Sequence, residues 1–497
     1  MSDQREAAPA GPEASEPEIG LPVSTALRIL DDWLNAGRLD EAERLLGRIA
    51  AAMPDLAGLG LRRAVLAGRR KLTNRAMRLA RAAIDTGETH PELFRIVYDL
   101  QVQLGNDRGA VTTARQALTL QPDDPNAWAR LADALYRHAD PEAAIAACDK
   151  ALALDAENIG ARSVRAEALL LLGRFAEGWA DYPWRLRRPR AVTINPSPPE
   201  WDGTRRADWP NRASRLLIYG DQGMGDVIQF IRYLPFVVER WPGEHVVLAC
   251  AAQLHPLLRP YLGRVAPGME MVALGAPTPA VAAMLPLSVL PGLAGTRLET
   301  IPGPSPYLYA DPALAAAWRA RLDARLPRER LLRVGLIWSG NPQQSNNPIR
   351  AVPLAHLAPL TALDGIALVA LQKGAAAEAQ LQAYSGRAPL ISVGPELNDF
   401  ADTAACLAGL DLLVATDTGP VHLAGALGVP TFLMLAHAAD WRWLRERSDS
   451  PWYPSLRLFR QPTPGAWDKV VTEVTAAVAA LASASSSSVP SAPRNGA

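Results

Sequence analysis

Apolar positions in the first third of the chain recur with a helical period, and small residues recur on a longer one. Gly37, Lys71, Gly105, Ala139 and Gly173 stand 34 residues apart, and so do Ala42, Ala76, Ala110, Ala144 and Gly178. Ala64, Ala132 and Ala166 share another column with Leu30 and Tyr98. The stretch "NAWARLADALYRHADPEAAIAACDKALALDAEN" shows the unit most clearly: two amphipathic helices around a short turn. About five such units are expected. A pair of helices cannot bury its apolar face alone, so each unit must stack on the next. An ordinary helical bundle is the alternative, and a register held through five units disfavours it.

From Arg215 the pattern changes. The expected order is a strand in "RLLIYG", a helix in "DVIQFIRYLPFVVERW", a strand in "HVVLACAA" and a helix in "QLHPLLRPYL", with further units to about Leu308. A second series starts at Arg333 with a strand in "RVGLIWSG" and a helix in "LAHLAPLTAL". It continues with "IALVALQKG" (strand), "FADTAACLAGL" (helix), "DLLVATDTG" (strand), "PVHLAGALG" (helix) and "PTFLML" (strand). Continuous apolar strands alternating with helices imply parallel sheets covered on both faces. Two series imply two doubly wound, Rossmann-like lobes, whose ligands bind at the carboxyl ends of the strands and in the cleft between them.

The fold class is therefore α followed by α/β: an all-α solenoid, then two Rossmann-like lobes. The 34-residue period, with a small residue mid-unit and proline near the end, resembles the tetratricopeptide repeat. The expected boundaries are a disordered tail over 1–20, repeats over 21–185, a linker over 186–213, a first lobe over 214–325, a second lobe over 326–482 and a Ser-rich tail over 483–497. The linker is crowded with Pro and Trp, and Trp179, Trp184 and Trp201 are expected to dock the repeats onto the lobes.

Composition narrows the partners. The formal net charge is +0, so no global field recommends nucleic acid or an anionic membrane. Cys148, Cys250 and Cys406 are far apart, without metal-ligand spacing, and read as reduced buried thiols of a cytoplasmic protein. The sequence shows no signal-peptide pattern and no apolar stretch long enough for a membrane helix. No metal site is expected.

The chemistry gathers on the strand-end loops. In "YGDQGMGD" the glycines Gly220, Gly223 and Gly225 alternate with Asp221, Gln222 and Asp226. A phosphate loop of the Walker type needs Lys-Ser/Thr after the last glycine, and Asp226 stands there instead. The spacing is GxxGxG rather than GxGxxG, which weakens a dinucleotide reading. The remaining reading gives the glycines to a sugar or acceptor and makes Asp226 a base, held ionised by the helix N-terminal amides. A plain helix cap suits the same aspartate. In "TDTGPVH", Asp417, Thr418 and Gly419 occupy a turn, and a helix beginning near Pro420 offers free amides to an anion, with His422 in its first turn. A capping threonine with a core histidine is the plainer alternative. Arg350 and Lys373 are cations on second-lobe loops that suit a departing diphosphate.

"GDxxxxxxxLP" and "DTGPVHLAGALGVP" resemble motifs of the heptosyltransferase-related bacterial glycosyltransferases of GT-B fold, over roughly residues 214–480. With "WSGNP", "LQKG" and "DWRWLRERSDSPWYP" after the repeats, the layout is similar to bacterial repeat-containing glycosyltransferases, some of which modify flagellin in the cytoplasm. The resemblance implies inverting, metal-independent transfer from a nucleotide-sugar co-substrate to Ser or Thr of a polypeptide such as flagellin, held by the repeats, with no other cofactor. It implies Asp226 as base. Ser339, Asn341, Arg350, Lys373, Asp417, Thr418, Gly419 and His422 would then sit around donor sugar and diphosphate. The sequence departs from the pattern in "GPVH", where many members have a serine before the histidine. A non-catalytic repeat scaffold and a lipopolysaccharide or other glycan sugar transferase are the competing expectations.

Overall fold

A computed structural model of the chain describes residues 21–188, 198–204, 215–241, 245–277, 279–303, 305–327, 331–344 and 347–487. The expected tail over 1–20, most of the linker and the end of the Ser-rich tail lie outside the described residues. The chain forms two compact units, Met1–Gln101 and Val102–Ala497.

Ten helices occupy the repeat region in order: α1 Val23–Asn35, α2 Leu39–Ala52, α3 Leu59–Arg69, α4 Thr73–Asp85, α5 Pro91–Gln103, α6 Asp107–Leu120, α7 Pro125–Arg137, α8 Pro141–Leu154, α9 Ile159–Leu171 and α10 Phe175–Asp181. The two 34-residue columns have different physical origins. Gly37, Lys71, Gly105, Ala139 and Gly173 all have positive φ, because each sits in the turn between paired helices. Glycine fits that conformation freely, whereas Lys71 and Ala139 adopt it at a cost. The second column is where paired helices touch. Ala42, Ala76, Ala110 and Ala144 are fully buried, and a Cβ on Gly178 would lie 2.7 Å from Leu170 Cγ.

Within the first unit, Leu30, Leu34, Leu46 and Leu59 form one apolar cluster, and Ala64, Ala80, Leu93 and Val97 form another. In the second unit, α6 to α10 lead into two sheets whose strand pairs are all parallel. The first contains β1 Leu216–Tyr219, β2 Val246–Cys250, β3 Glu270–Ala273 and β4 Ala283–Pro286, in the order β3-β2-β1-β4. The second contains β5 Leu332–Ile337, β6 Ile366–Ala370, β7 Leu390–Ser392, β8 Leu412–Thr416, β9 Thr431–Leu435 and β10 Leu456–Arg460. Its order is β10-β9-β8-β5-β6-β7. Most strand residues in both sheets are buried, as parallel sheets with covered faces require. The second order reverses between β5 and β8, and the first between β1 and β4. Doubly wound sheets open their ligand crevice outside the strand ends at such points.

Several elements differ from the sequence reading. The long helix expected in "DVIQFIRYLPFVVERW" is interrupted: Met224–Phe230 is helical, Ile231–Tyr233 tightens to a 3-10 turn and Leu234–Val238 resumes. Pro235 lacks an N–H and suits only the first turn of a helix, so the chain restarts there. Helix Pro312–Arg325, counted with the first lobe, packs on helix Phe400–Leu407 of the second, with Trp318 Nε1 donating to Asp402 Oδ1 at 3.1 Å. The last helix, Trp467–Ser487, runs past the residue 483 at which a tail was expected.

Aromatic side chains join repeats to lobes. Trp179 lies edge-on to Trp441 at 5.4 Å, Phe175 stacks on Trp452 at 6.0 Å, and Trp179 Nε1 donates to the Thr296 carbonyl at 3.1 Å. Such pairs contribute about 0.5–1.5 kcal/mol each beyond their burial. Trp184 has another task, since it lies between Arg162 and Arg187 at 4.4 and 4.1 Å. Trp201 belongs to the first lobe, where its ring packs on Trp241 and its backbone N–H donates to the Met284 carbonyl at 2.9 Å.

Candidate functional site

The strand ends at both reversal points meet. The loop after β1 runs through Gly223 into helix Met224–Phe230, and the loop after β8 runs through Thr418 into helix Gly419–Leu427. The two helices pack together at their first turns. A Cβ on Gly225 would lie 2.7 Å from His422 Cδ2 and 3.0 Å from Gly419 Cα, and one on Gly220 would lie 2.6 Å from Val227 Cγ2. One on Gly223 would lie 3.2 Å from Asp226 Oδ2. At Gly225 the second-lobe helix fills the space beside the glycine, and at Gly220 Val227 does so, whereas Gly223 is exposed.

Asp226 sits in the first turn of its helix. Its Oδ2 accepts from the Gly223 N–H at 2.9 Å and its Oδ1 from Arg442 Nη2 at 2.5 Å. The sequence reading expected helix amides to keep this carboxylate ionised. Burial instead dominates and pushes its pKa up, while the Arg442 charge pulls it back and Asp440 and Asp221 push further.

Arg442 is the residue that sequence reasoning missed. It lies on the 3-10 turn Trp441–Trp443 after β9, with 7% of its side chain exposed. It donates to Asp226, to Asp440 Oδ1 at 2.8 Å, to Gln229 Oε1 at 2.8 Å and to Gln222 Oε1 at 3.1 Å. Burial works against its charge, but the Asp226 and Asp440 carboxylates outweigh it. One guanidinium thus ties the second lobe to the glycine loop of the first. The only sequence signal was an arginine set between two tryptophans in "DWRWL".

Gln222 also donates from Nε2 to Tyr182 OH at 2.9 Å, which brings the repeat end into the same network. Asp221 does not belong with the acceptor-facing residues. Its side chain is 2% exposed and pairs with Arg185 at 2.6 Å and Ser288 Oγ at 2.8 Å, fastening the end of the repeats to the first lobe.

On the second lobe, Asp417 lies beside Asp440 and Arg350. Burial raises its pKa above the usual carboxylate range, Asp440 adds to the rise and Arg350 opposes it. Thr418 caps the helix by position only: its Oγ1 is buried without a hydrogen-bond partner. Gly419 opens the helix; Pro420 has no N–H and the Val421 N–H donates to the Thr418 carbonyl at 3.0 Å, which leaves the Gly419 N–H at the helix start. Arg350 reaches Gln344 and leaves its Nε buried and unpartnered. Ser339 N–H donates to Gln372 Oε1 at 2.9 Å, its hydroxyl accepts from Asn347, and Asn341 Oδ1 accepts from Gln343 N at 3.0 Å. These bonds shape the loop that carries Arg350.

Two expected donor residues stand apart. Lys373 donates its Nζ to the Leu397 carbonyl and so braces the following turn. His422 is 5% exposed, stacked on Trp443 at 5.3 Å, with its Nδ1 3.1 Å from Tyr453 OH. Burial, reinforced by Arg442, drives its pKa down to about 3, so it is a neutral packing residue. The core-histidine alternative describes it.

The repeats contribute Tyr136 and Glu167. Helix α9 packs against the Trp441–Trp443 turn, and both side chains lie within electrostatic reach of Asp440 and Arg442. Among the described residues no group of three or more His, Cys, Asp or Glu could hold a metal ion, and no helix is long and apolar enough to cross a membrane.

No family model matches the chain. MamA structures resemble part of it at low similarity: one is 18% identical with a TM-score of 0.30, covering 33% of this chain and 90% of that one. Another is 19% identical, with a TM-score of 0.29 over 32% of this chain and 93% of that one. Among curated proteins the chain is similar to Protein FlbA of Caulobacter vibrioides, at 28% identity over 435 residues, 81% of this chain and 69% of that protein.

Proposed function

We propose that the chain is a GT-B-type glycosyltransferase that moves a sugar from a nucleotide-activated donor to a Ser or Thr hydroxyl of a polypeptide held by the repeats. The observation that carries this reading is the Arg442 junction. It gathers the loops at the reversal points of two parallel sheets, and the repeat end, around one set of charged groups. The unpartnered Thr418 hydroxyl, the Gly419 N–H at the start of helix Gly419–Leu427 and Arg350 near Asp417 suit a diphosphate. The neutral net charge and three free thiols fit a cytoplasmic reaction on a protein such as flagellin.

In the reaction the acceptor oxygen attacks the anomeric carbon as a carboxylate takes its proton. The bond to the diphosphate breaks with its electron pair going to the leaving group. The Gly419 N–H, Thr418 and Arg350 meet that developing charge. Asp226 holds Arg442 in place, and with both oxygens engaged it is a poor proton acceptor. Purified full-length chain, given a panel of nucleotide sugars and a candidate acceptor, is expected to release nucleoside diphosphate, and Asp226→Asn to slow release by about tenfold or more by disordering Arg442. No release by the wild type with any donor would remove this reading.

A second reading has an observation of its own. Gly225 is closed off by the facing helix, and His422 is walled in. A repeat scaffold on an inactive transferase fold would tolerate both. It requires acceptor binding without turnover.

A further inference from the structure

We propose, building on the transferase reading, that Glu167 of repeat helix α9 takes the acceptor's proton, so that the module that holds the polypeptide also completes the reaction centre. The geometry begins with how firmly α9 is set. Ala166 and Leu170 are fully buried, and Gly178 lets α10 close onto Leu170. Asp181 grips both Arg162 and Arg165 at 2.7 Å. With its rotation fixed, α9 packs on the Trp441–Trp443 turn and sets Glu167 within electrostatic reach of Asp440 and Arg442. Tyr136 of α7 lies within electrostatic reach of the same groups from the neighbouring repeat helix.

The titratable and charged groups within electrostatic reach of Glu167 include Asp133 and Tyr136 from α7, Arg188 after the turn Tyr182–Arg187, and Asp440 and Arg442 from the second lobe. Among the described residues no hydrogen bond holds its carboxylate, and Arg442 is already engaged by Asp226, Asp440, Gln222 and Gln229. An unpaired carboxylate keeps its lone pairs free for a proton, whereas Asp226 has spent both oxygens. Burial raises the Glu167 pKa to about 7, with Asp440 and Asp133 adding to the rise and Arg188 opposing it. A base with a pKa near the working pH is the efficient kind. The step balances: the hydroxyl proton goes to Glu167, the oxygen pair forms the glycosidic bond, and the broken bond leaves its pair on the diphosphate.

The test is the pH–rate profile of full-length protein with nucleotide sugar and acceptor, from about pH 5 to 9. Wild-type transfer should rise through pH about 7, following Glu167. Glu167→Gln should lose about a hundredfold or more in transfer and lose that acid limb. Glu167→Asp should recover part of the rate, and nucleotide binding should be unchanged in both. The near-isosteric Gln variant should unfold at the wild-type temperature or above, which separates chemistry from misfolding. Full transfer by Glu167→Gln with an unmoved acid limb overturns this assignment and leaves the transferase reading intact. Absence of wild-type turnover overturns both.

Discussion

Asp226 and Glu167 approach one arginine from different modules and are in opposite states. Asp226 stands on a glycine loop with the outward marks of a catalytic residue, yet a backbone amide and Arg442 occupy both of its oxygens. Glu167 stands in a repeat helix with no motif around it, and among the described residues its carboxylate is unpaired. The contrast teaches that a carboxylate's chemistry follows from its partners more than from the loop that carries it. A paired carboxylate builds the site, and an unpaired, half-buried one can titrate within it.

The most severe break on the lobe side is Arg442→Met. It would leave Asp226 and Asp440 half-buried without their counter-charge, and a loss of about 3–5 kcal/mol is expected in urea unfolding. Adding Asp226→Asn should recover part of that loss, because the two residues are directly coupled. Next is Gly225→Ala, whose new methyl would fall 2.7 Å from His422 Cδ2 and force the two helix ends apart. About 1–3 kcal/mol should be lost, and transfer should fall with it.

A subtler comparison uses pH. His422, shifted from 6.5 to about 3, binds its proton in the unfolded chain first, so its contribution to stability is present above 6.5 and lost as pH falls towards 3. Glu167, shifted from 4.5 to about 7, binds a proton in the folded chain first, so its contribution is present below 4.5 and lost as pH rises through 7. The two slopes oppose each other between 4.5 and 6.5. Glu167→Gln should therefore make stability rise more steeply with pH in that window, measured by chemical denaturation at each pH. The smallest effect tests the repeats alone. Ala139→Gly relieves a positive φ of 62° and should raise stability by a few tenths to about 1 kcal/mol.

The repeat columns and most of the strands were legible because each rests on local periodicity. The 34-residue spacing even marked the turn positions, although their cause is the sign of φ rather than helix contact. The position of Asp417, Thr418 and Gly419 at a strand end was legible for the same reason. The Arg442–Asp226 bond was not, since 216 residues separate its partners and only the packing of two sheets brings them together. Gly225 and His422 each look chemical alone in the sequence, and only the packing of the two helix ends sets one against the other. Glu167 carried no signal because a charged residue on a repeat helix is ordinarily a solvated one.

The most direct measurement is the intact mass of a candidate acceptor, flagellin monomer first, after incubation with the full-length chain and a panel of nucleotide sugars. The expected result is a mass gain of one glycosyl unit on Ser or Thr with stoichiometric release of nucleoside diphosphate, both lost in Glu167→Gln. An acceptor that binds the chain yet gains no mass and prompts no diphosphate release with any donor would contradict the transferase account and leave a binding scaffold in its place.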